Sequence, residues 1–173
     1  MAKKQVAIIM GSDSDWKTLE VAEQTLQQFG VEAQVLVASA HRTPERVHNF
    51  VSQARQNNIG VIIAAAGAAA HLPGVVAAYT TLPVIGVPVD ATTLGGMDAL
   101  LSIAQMPSGI PVGTMAINGA KNAALYALEM LAISDEDLTE KLALHRQEMA
   151  QEVEKKAARL DKLRAEQQTG GEK

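Results

Sequence analysis

Three short stretches of this sequence gather residue types able to move protons or hold anions. The first is Gly11-Ser12-Asp13-Ser14-Asp15, which follows an apolar run and leads into a helical pattern. Serine hydroxyls and free backbone amides at such a place can grip a phosphate, and capping of the helix by Ser12 or Ser14 accounts for the same residues equally well. Asp13 and Asp15 repel a bare phosphate, which turns one of them toward accepting hydrogen bonds from sugar hydroxyls. The second stretch is Ser39-Ala40-His41-Arg42-Thr43-Pro44-Glu45. Thr43 is expected to cap the next helix and Pro44 to sit in its first turn, fixing His41 and Arg42 just ahead of it. A histidine there can carry a proton near neutral pH, and the neighbouring arginine can hold phosphate or carboxylate in a two-pronged fork. The third is the run from Ala64 to Gly74, AAAGAAAHLPG, whose small side chains let a flat ligand lie against the backbone. Its exposed amides could bind a carboxylate, although close helix–sheet packing asks for the same alanines and glycines. His71, just before Leu72 and Pro73, is the weaker candidate for proton transfer. His48 and His145 fall within helical patterns away from these stretches and read as structural or solvated.

The elements that must position these residues are visible as apolar runs rich in Val and Ile at Val6–Met10, Val35–Val37, Val61–Ile63, Val84–Val87 and Val112–Ile117. Between them lie segments of helical spacing, with Trp16, Leu19, Val21, Ala22, Leu26 and Phe29 in one, and Val47, Phe50, Val51 and Ala54 in the next. Continuous hydrophobicity in the strands means that both faces of the sheet are covered, as in a parallel sheet wrapped by right-handed crossovers. The expected fold is α/β, a three-layer αβα sandwich on a five-stranded parallel sheet. Ligands of such folds sit beyond the carboxyl ends of the strands where the strand order reverses. The loops after Met10, Val37 and Ile63 are those ends, and they carry the three stretches.

Composition narrows the chemistry. With 15 Lys plus Arg against 19 Asp plus Glu, a net charge of -4, the chain has no basic excess for a nucleic acid or an anionic membrane. It contains no cysteine, which excludes disulfides, thiolate metal sites and a cysteine nucleophile, and no metal site is expected from the remaining residues. There is no G-x-G-x-x-G and no P-loop. Aromatics make up only 3% of the residues, too few for a flavin sandwich or a base-stacking platform. The opening MAKKQVAIIMGSDSD has an apolar run too short for a signal-peptide core or a membrane span, so a cytoplasmic location is expected.

Charge is also unevenly placed. Between Ile59 and Ala120 the acids and bases other than histidine are Asp90 and Asp98, so Leu72–Thr80 and Met97–Met106 are expected to bury a face against another subunit. From Ser134 the composition turns highly charged, with Leu138, Leu142, Met149, Val153, Leu160 and Leu163 in one stripe. We read residues 1–133 as the catalytic domain, 134–168 as a long amphipathic helix of the same domain that touches a neighbouring subunit, and 169–173 as a frayed tail.

GSDSDW, SAHRTP, AAHLPG, GVPV and SIAQMPSGIPVGT together, in order over about the first 130 residues, resemble the class I PurE family, the N5-carboxyaminoimidazole ribonucleotide mutases of purine biosynthesis. The resemblance implies a flavodoxin-like sheet, a ribonucleotide substrate, no cofactor and a homo-octamer. It implies that Ser12, Asp15 and Arg42 bind the ribonucleotide, that His41 is the general acid and base, and that Ala66 to His71 border the migrating carboxylate. The candidate set adds Gly11, Ser14, Ser39 and Leu72 to the binding residues, with Gly67 and Ala70 in the small-residue loop and His71 as a second catalytic candidate. The class II relatives, which carboxylate aminoimidazole ribonucleotide with free CO2, typically lack AHLPG and carry lysine where this chain has Arg42. A phosphoacceptor signalling domain of the same architecture needs an aspartate after the third strand, where this chain has Ala64–Ala70. Three departures from the family pattern stand out: alanine at positions 65 and 68, where glycine is usual; a short loop at Asn118–Asn122; and a longer C-terminal helix.

Overall fold

The computed structural model describes residues 4–169. Residues 170–173 of the expected tail lie outside the described residues. Five parallel strands, β1 (Gln5–Met10), β2 (Ala33–Val37), β3 (Ile59–Ala66), β4 (Val84–Pro88) and β5 (Gly113–Thr114), form one sheet in the order β2-β1-β3-β4-β5. The described helices are α1 (Trp16–Gln28), α2 (Pro44–Gln53), α3 (Leu72–Ala78), α4 (Met97–Ala104), α5 (Ala120–Ala132) and α6 (Glu136–Thr169). This is the expected flavodoxin-like order.

The chain steps one way from β1 to β2 and the other way through β3, β4 and β5. Right-handed crossovers then force α1 onto one face and α2, α3 and α4 onto the other. Two buried clusters follow. Val6, Ile8, Met10, Val61 and Ile63 pack on α1 and α5 through Leu19, Leu26, Ala124 and Leu128. Ala7, Ile9, Ile62 and Ala64 pack on α2, α3 and α4 through Val47, Val51, Val76 and Ile103. The alternation of residues along β1 and β3 between these clusters explains why both strands read as unbroken apolar runs. Helix α4 lies so close to β4 that a Cβ at Gly86 would stand 2.3 Å from the Ile103 Cγ2.

Two strands differ from the sequence reading. The fifth, expected over Val112–Ile117, pairs only at Gly113 and Thr114, opposite Ile85 and Gly86. The glycines and prolines around it (Pro107, Gly109, Pro111 and Gly113) withhold the conformations and donors that a longer ladder needs. The second strand is an edge, and its Val35 and Val37 are each 41% exposed rather than buried. The charged C-terminal segment is a helix as expected, beginning at Glu136. Its Leu138 is buried, and Leu142 packs partly against the α1 and α5 layer. Arg146 donates to Glu129 of α5 at 2.8 Å. Beyond that point Met149, Val153, Leu160 and Leu163 are about half exposed or more.

Candidate active site

The loops after β1, β2 and β3 meet where the strand order reverses, between β1 and β3. They enclose a pocket of about 440 Å³ lined by Gly11, Ser12, Ser14, Asp15, Ser39, Ala40, His41, Arg42, Ala66, Gly67, Ala68, Ala69, Leu72 and Ala91. Depressions of about 840 Å³ and 600 Å³ elsewhere on the surface contain no histidine, and one of about 460 Å³ holds His48 without an arginine or serine beside it. The acid-base and anion-binding side chains converge in the smaller pocket.

Each wall has a local cause. After β1 the chain makes one 3-10 turn, Asp13–Asp15, before α1. The Ser12 hydroxyl accepts from the Ser14 amide at 3.3 Å, and the Asp15 carboxylate accepts in return from the Ser12 amide at 3.3 Å. The Ser14 hydroxyl donates to the Ser12 hydroxyl at 2.9 Å. Ser12 therefore caps the turn with Ser14 bonded to it, and both still face the cavity. After β2, Thr43 does not cap α2 with its side chain. Its hydroxyl turns back, accepting from the Ser39 amide at 2.9 Å and donating to the Ser39 carbonyl at 3.2 Å. The Ser39 hydroxyl in turn accepts from the His41 and Arg42 amides at 3.3 Å and 3.2 Å. This closed ring of bonds holds the His41–Arg42 pair. Arg42 donates through Nη2 to the Gly11 carbonyl at 3.1 Å, which pins the guanidinium across the ends of β1 and β2 and leaves further donors for an anion.

His71, in the turn before α3, does not line the pocket wall but stands behind His41. His41 Nε2 and His71 Nδ1 are 2.9 Å apart, with the rings edge to face at 82°. Two imidazole nitrogens at that distance share one proton, so one ring donates and the other accepts. Spacing alone could not show this pairing, because thirty residues separate the two histidines. Ala70, expected to border the ligand, is buried and absent from the wall. Of the two alanines in place of glycine, Ala65 faces the α1 and α5 core and Ala68 faces the pocket. His48 is exposed and meets Tyr79 edge to face, and His145 packs on Phe29 with a buried Nε2, so neither enters the site.

Sequence reasoning missed Ala91, which follows β4 and closes the far wall. The signal lay in Gly67: a Cβ there would stand 2.5 Å from the Ala91 Cβ, so the β3 and β4 loops meet only because residue 67 has no side chain. Gly67→Ala should therefore destabilise the fold by about 1–3 kcal/mol and narrow the pocket. Adding Ala91→Gly should restore most of the loss, as read by urea unfolding. No recovery in the double variant would mean that the two loops do not collide.

Asp15 is a buried carboxylate in this wall. Burial raises its pKa above the ordinary 3.8, the Ser12 amide acts in the opposite direction, and the charge of Asp13 raises it further. A carboxyl raised in the native state stabilises the fold fully below 3.8, and that contribution is lost as pH rises through the native value. At neutral pH its charge is held against stability. Asp15→Asn keeps an acceptor for the Ser12 amide and should melt higher than the wild type at pH 7, with the difference closing below 3.8. Equal melting temperatures at pH 7 would remove the desolvation argument.

Comparison with known proteins gives a consistent picture. The family model described as AIR carboxylase matches residues 5–152. An N5-carboxyaminoimidazole ribonucleotide mutase of Pyrococcus horikoshii is 52% identical over 161 residues, covering 93% of this chain and 91% of that protein. One of Thermotoga maritima is 48% identical, covering 92% of this chain and 93% of its own length. The crystal structure of Treponema denticola PurE superposes with a TM-score of 0.84 at 28% identity, covering 91% of this chain and 98% of that one.

Proposed function

This chain belongs to the AIR carboxylase family and catalyses the N5-carboxyaminoimidazole ribonucleotide mutase reaction of purine biosynthesis, and from that premise we propose that His41 is its general acid and base. The observation that carries the assignment is the His41–His71 contact at 2.9 Å, on the rim of a pocket whose other walls are small or anion-binding. The reaction moves a carboxylate from the carbamate nitrogen to ring carbon C4. When the carbon–nitrogen bond breaks, its electron pair stays on nitrogen, which takes a proton from His41 as CO2 leaves. The enamine-like C4 then attacks the CO2, and the proton on C4 returns to His41 as the ring regains aromaticity. No proton is gained or lost overall, so one histidine serves both steps.

In this reading the ribonucleotide is anchored by Arg42, Ser12 and Asp15, with Gly11, Ser14 and Ser39 beside them. Arg42 meets the phosphate and Asp15 accepts from ribose hydroxyls. The imidazole ring and the CO2 lie against Ala66, Gly67 and Leu72, where nothing polar competes for the gas. Recapture depends on keeping CO2 near C4, a proximity effect that a confined apolar wall supplies. His71 positions His41 by holding its Nε2. The class II alternative, carboxylation with free CO2, is not favoured, since the chain carries arginine at position 42 and AHLPG intact.

His41, Arg42, Ala68 and Ala69 are exposed in the single subunit, so confinement of CO2 calls for cover. A homo-oligomer supplies it, an octamer by resemblance. The exposed apolar side chains of Leu94, Met97 and Leu101, on a segment nearly free of charge, support this reading. Among the described residues no helix is long and apolar enough to cross a membrane, and a cytoplasmic location belongs to the same proposal.

His41→Asn should fold with an unchanged circular dichroism spectrum and lose about 10²–10⁴ in kcat, because an amide keeps the shape but carries no proton. His71→Ala should lower kcat in the wild-type background and have little further effect on His41→Asn, since it acts through His41. An ultraviolet assay of the carbamate ribonucleotide checks both, and a His41→Asn rate near wild type would remove the proposed role. Light scattering should give eight subunits, and a fully active monomer would defeat the interface reading.

A further inference from the structure

Helix α6 outlasts the body it packs on. Leu138 and Leu142 are covered by the α1 and α5 layer, and the family match ends at residue 152. The stretch from Met149 to Thr169 runs on for about 30 Å at 1.5 Å per residue. Its apolar stripe does not stop with the contact. Met149, Val153, Leu160 and Leu163 are 50%, 62%, 56% and 47% exposed. Together with Lys156 they recur at alternating intervals of four and three residues and fall within roughly 80° of the helix circumference. That is a coiled-coil seam with no partner among the described residues of its own subunit.

The residues beside the seam decide what fits it. One flank carries Glu152 and Arg159, and the other carries Ala150 and Ala157. In a parallel pair Arg159 would flank Arg164 of the second helix, a like-charge contact, and Glu152 would face only Ala157. In an antiparallel pair Met149 lies opposite the second copy's Leu160 and Val153 opposite its Lys156. Glu152 then meets the second copy's Arg159 twice, by symmetry. Ala150 and Ala157 adjoin on the other flank, where their small side chains let the helices come close. Among the described residues neither Glu152 nor Arg159 has an ion-pair partner in its own subunit. Lys156 is exposed in the seam, and in a pair its methylenes can lie along it with the ammonium in water, a polar seam residue that favours one register over its neighbours.

We propose that the overhanging end of α6 pairs antiparallel with the same segment of a second copy of this chain, in the register that sets Met149 against Leu160 and Glu152 against Arg159. The seam is one continuation of the face that seats α6 on its own body, so the two-fold pair links bodies lying at opposite ends. It brings the second copy's Leu163 opposite Arg146, at the mouth of a groove of about 410 Å³ that Tyr126 and Met149 also line. Two heptads are too short for a free-standing dimer, and the pairing acts as a strap between subunits already held elsewhere.

The natural chain has no cysteine, so engineered thiols report without background. In the full-length protein, Met149→Cys with Leu160→Cys should yield covalent dimers with a short bismaleimide. Each single variant should give at least about fivefold less, because its own thiols lie about 16 Å apart across the two-fold. Both positions are exposed, so neither substitution threatens the fold. Glu152→Arg or Arg159→Glu in the double-cysteine background should cut the yield several-fold, and the two together should restore it. Self-linking of the single variants would show a parallel pair, and absence of cross-linking in the double variant would show that the tips do not meet. Either result overturns the proposal and leaves the catalytic assignment untouched.

Discussion

The reversal in strand order between β1 and β3 is the constraint from which the rest of this molecule follows. Because every crossover is right-handed, the change of direction sends α1 to one face and α2 to the other, and the loops that feed them part at the sheet's carboxyl edge. A crevice is left that no helix fills. Both neighbours of that crevice must be fully buried strands, which is why β1 and β3 are aliphatic along their length. The serines, the histidine and the arginine then need only be the first residues after each strand. The same geometry explains the small side chains of β3's end: the loops after β3 and β4 close over the crevice, and only Gly67 against Ala91 permits that approach.

How much of this was legible depended on whether a residue's role was local. β1, β3 and β4 could be read because their burial on both faces leaves an unbroken apolar run. The place of β5 could be read but its length could not, because surroundings rich in glycine and proline leave only Gly113 and Thr114 paired. The His41–Arg42 site was visible from residue types and turn chemistry, yet its actual support was not. Thr43 sits where capping residues sit, but the Ser39 backbone offers its hydroxyl a closer partner. The His41–His71 pair and the Ala91 wall arise from contacts between loops distant in sequence, and an alanine carries no chemical mark of such a contact.

Ala65 and Ala68, the two alanines singled out in the small-residue run, separate into unequal cases once their surroundings are known. Ala65 lies inside β3 between Met10 and Val87, so its methyl group adds core volume without touching the pocket. Ala68 stands on the pocket's rim, and only there can the methyl group alter what the ligand meets. Asp15 shows the opposite trade. Its carboxylate is kept in a buried wall against its own solvation, and the Ser12 amide compensates only in part. Such a cost is what the ligand-binding role proposed for Asp15 would explain.

The neighbours of β1 also govern how the chain comes into being. Strand β1 is made first and finds β2 soon after, but its other edge is completed only by β3, at Ile59–Ala66, after α2 has been synthesised. Throughout that interval Val6, Ile8 and Met10 have neither their second strand nor α5 to cover them. A nascent polypeptide emerging from the ribosome at about 5–20 residues per second therefore spends seconds with its stickiest segment uncovered, and α5, which seals that layer, is among the last parts to arrive. The order of strands that creates the crevice thus also delays the closing of β1's layer until α5 has been made.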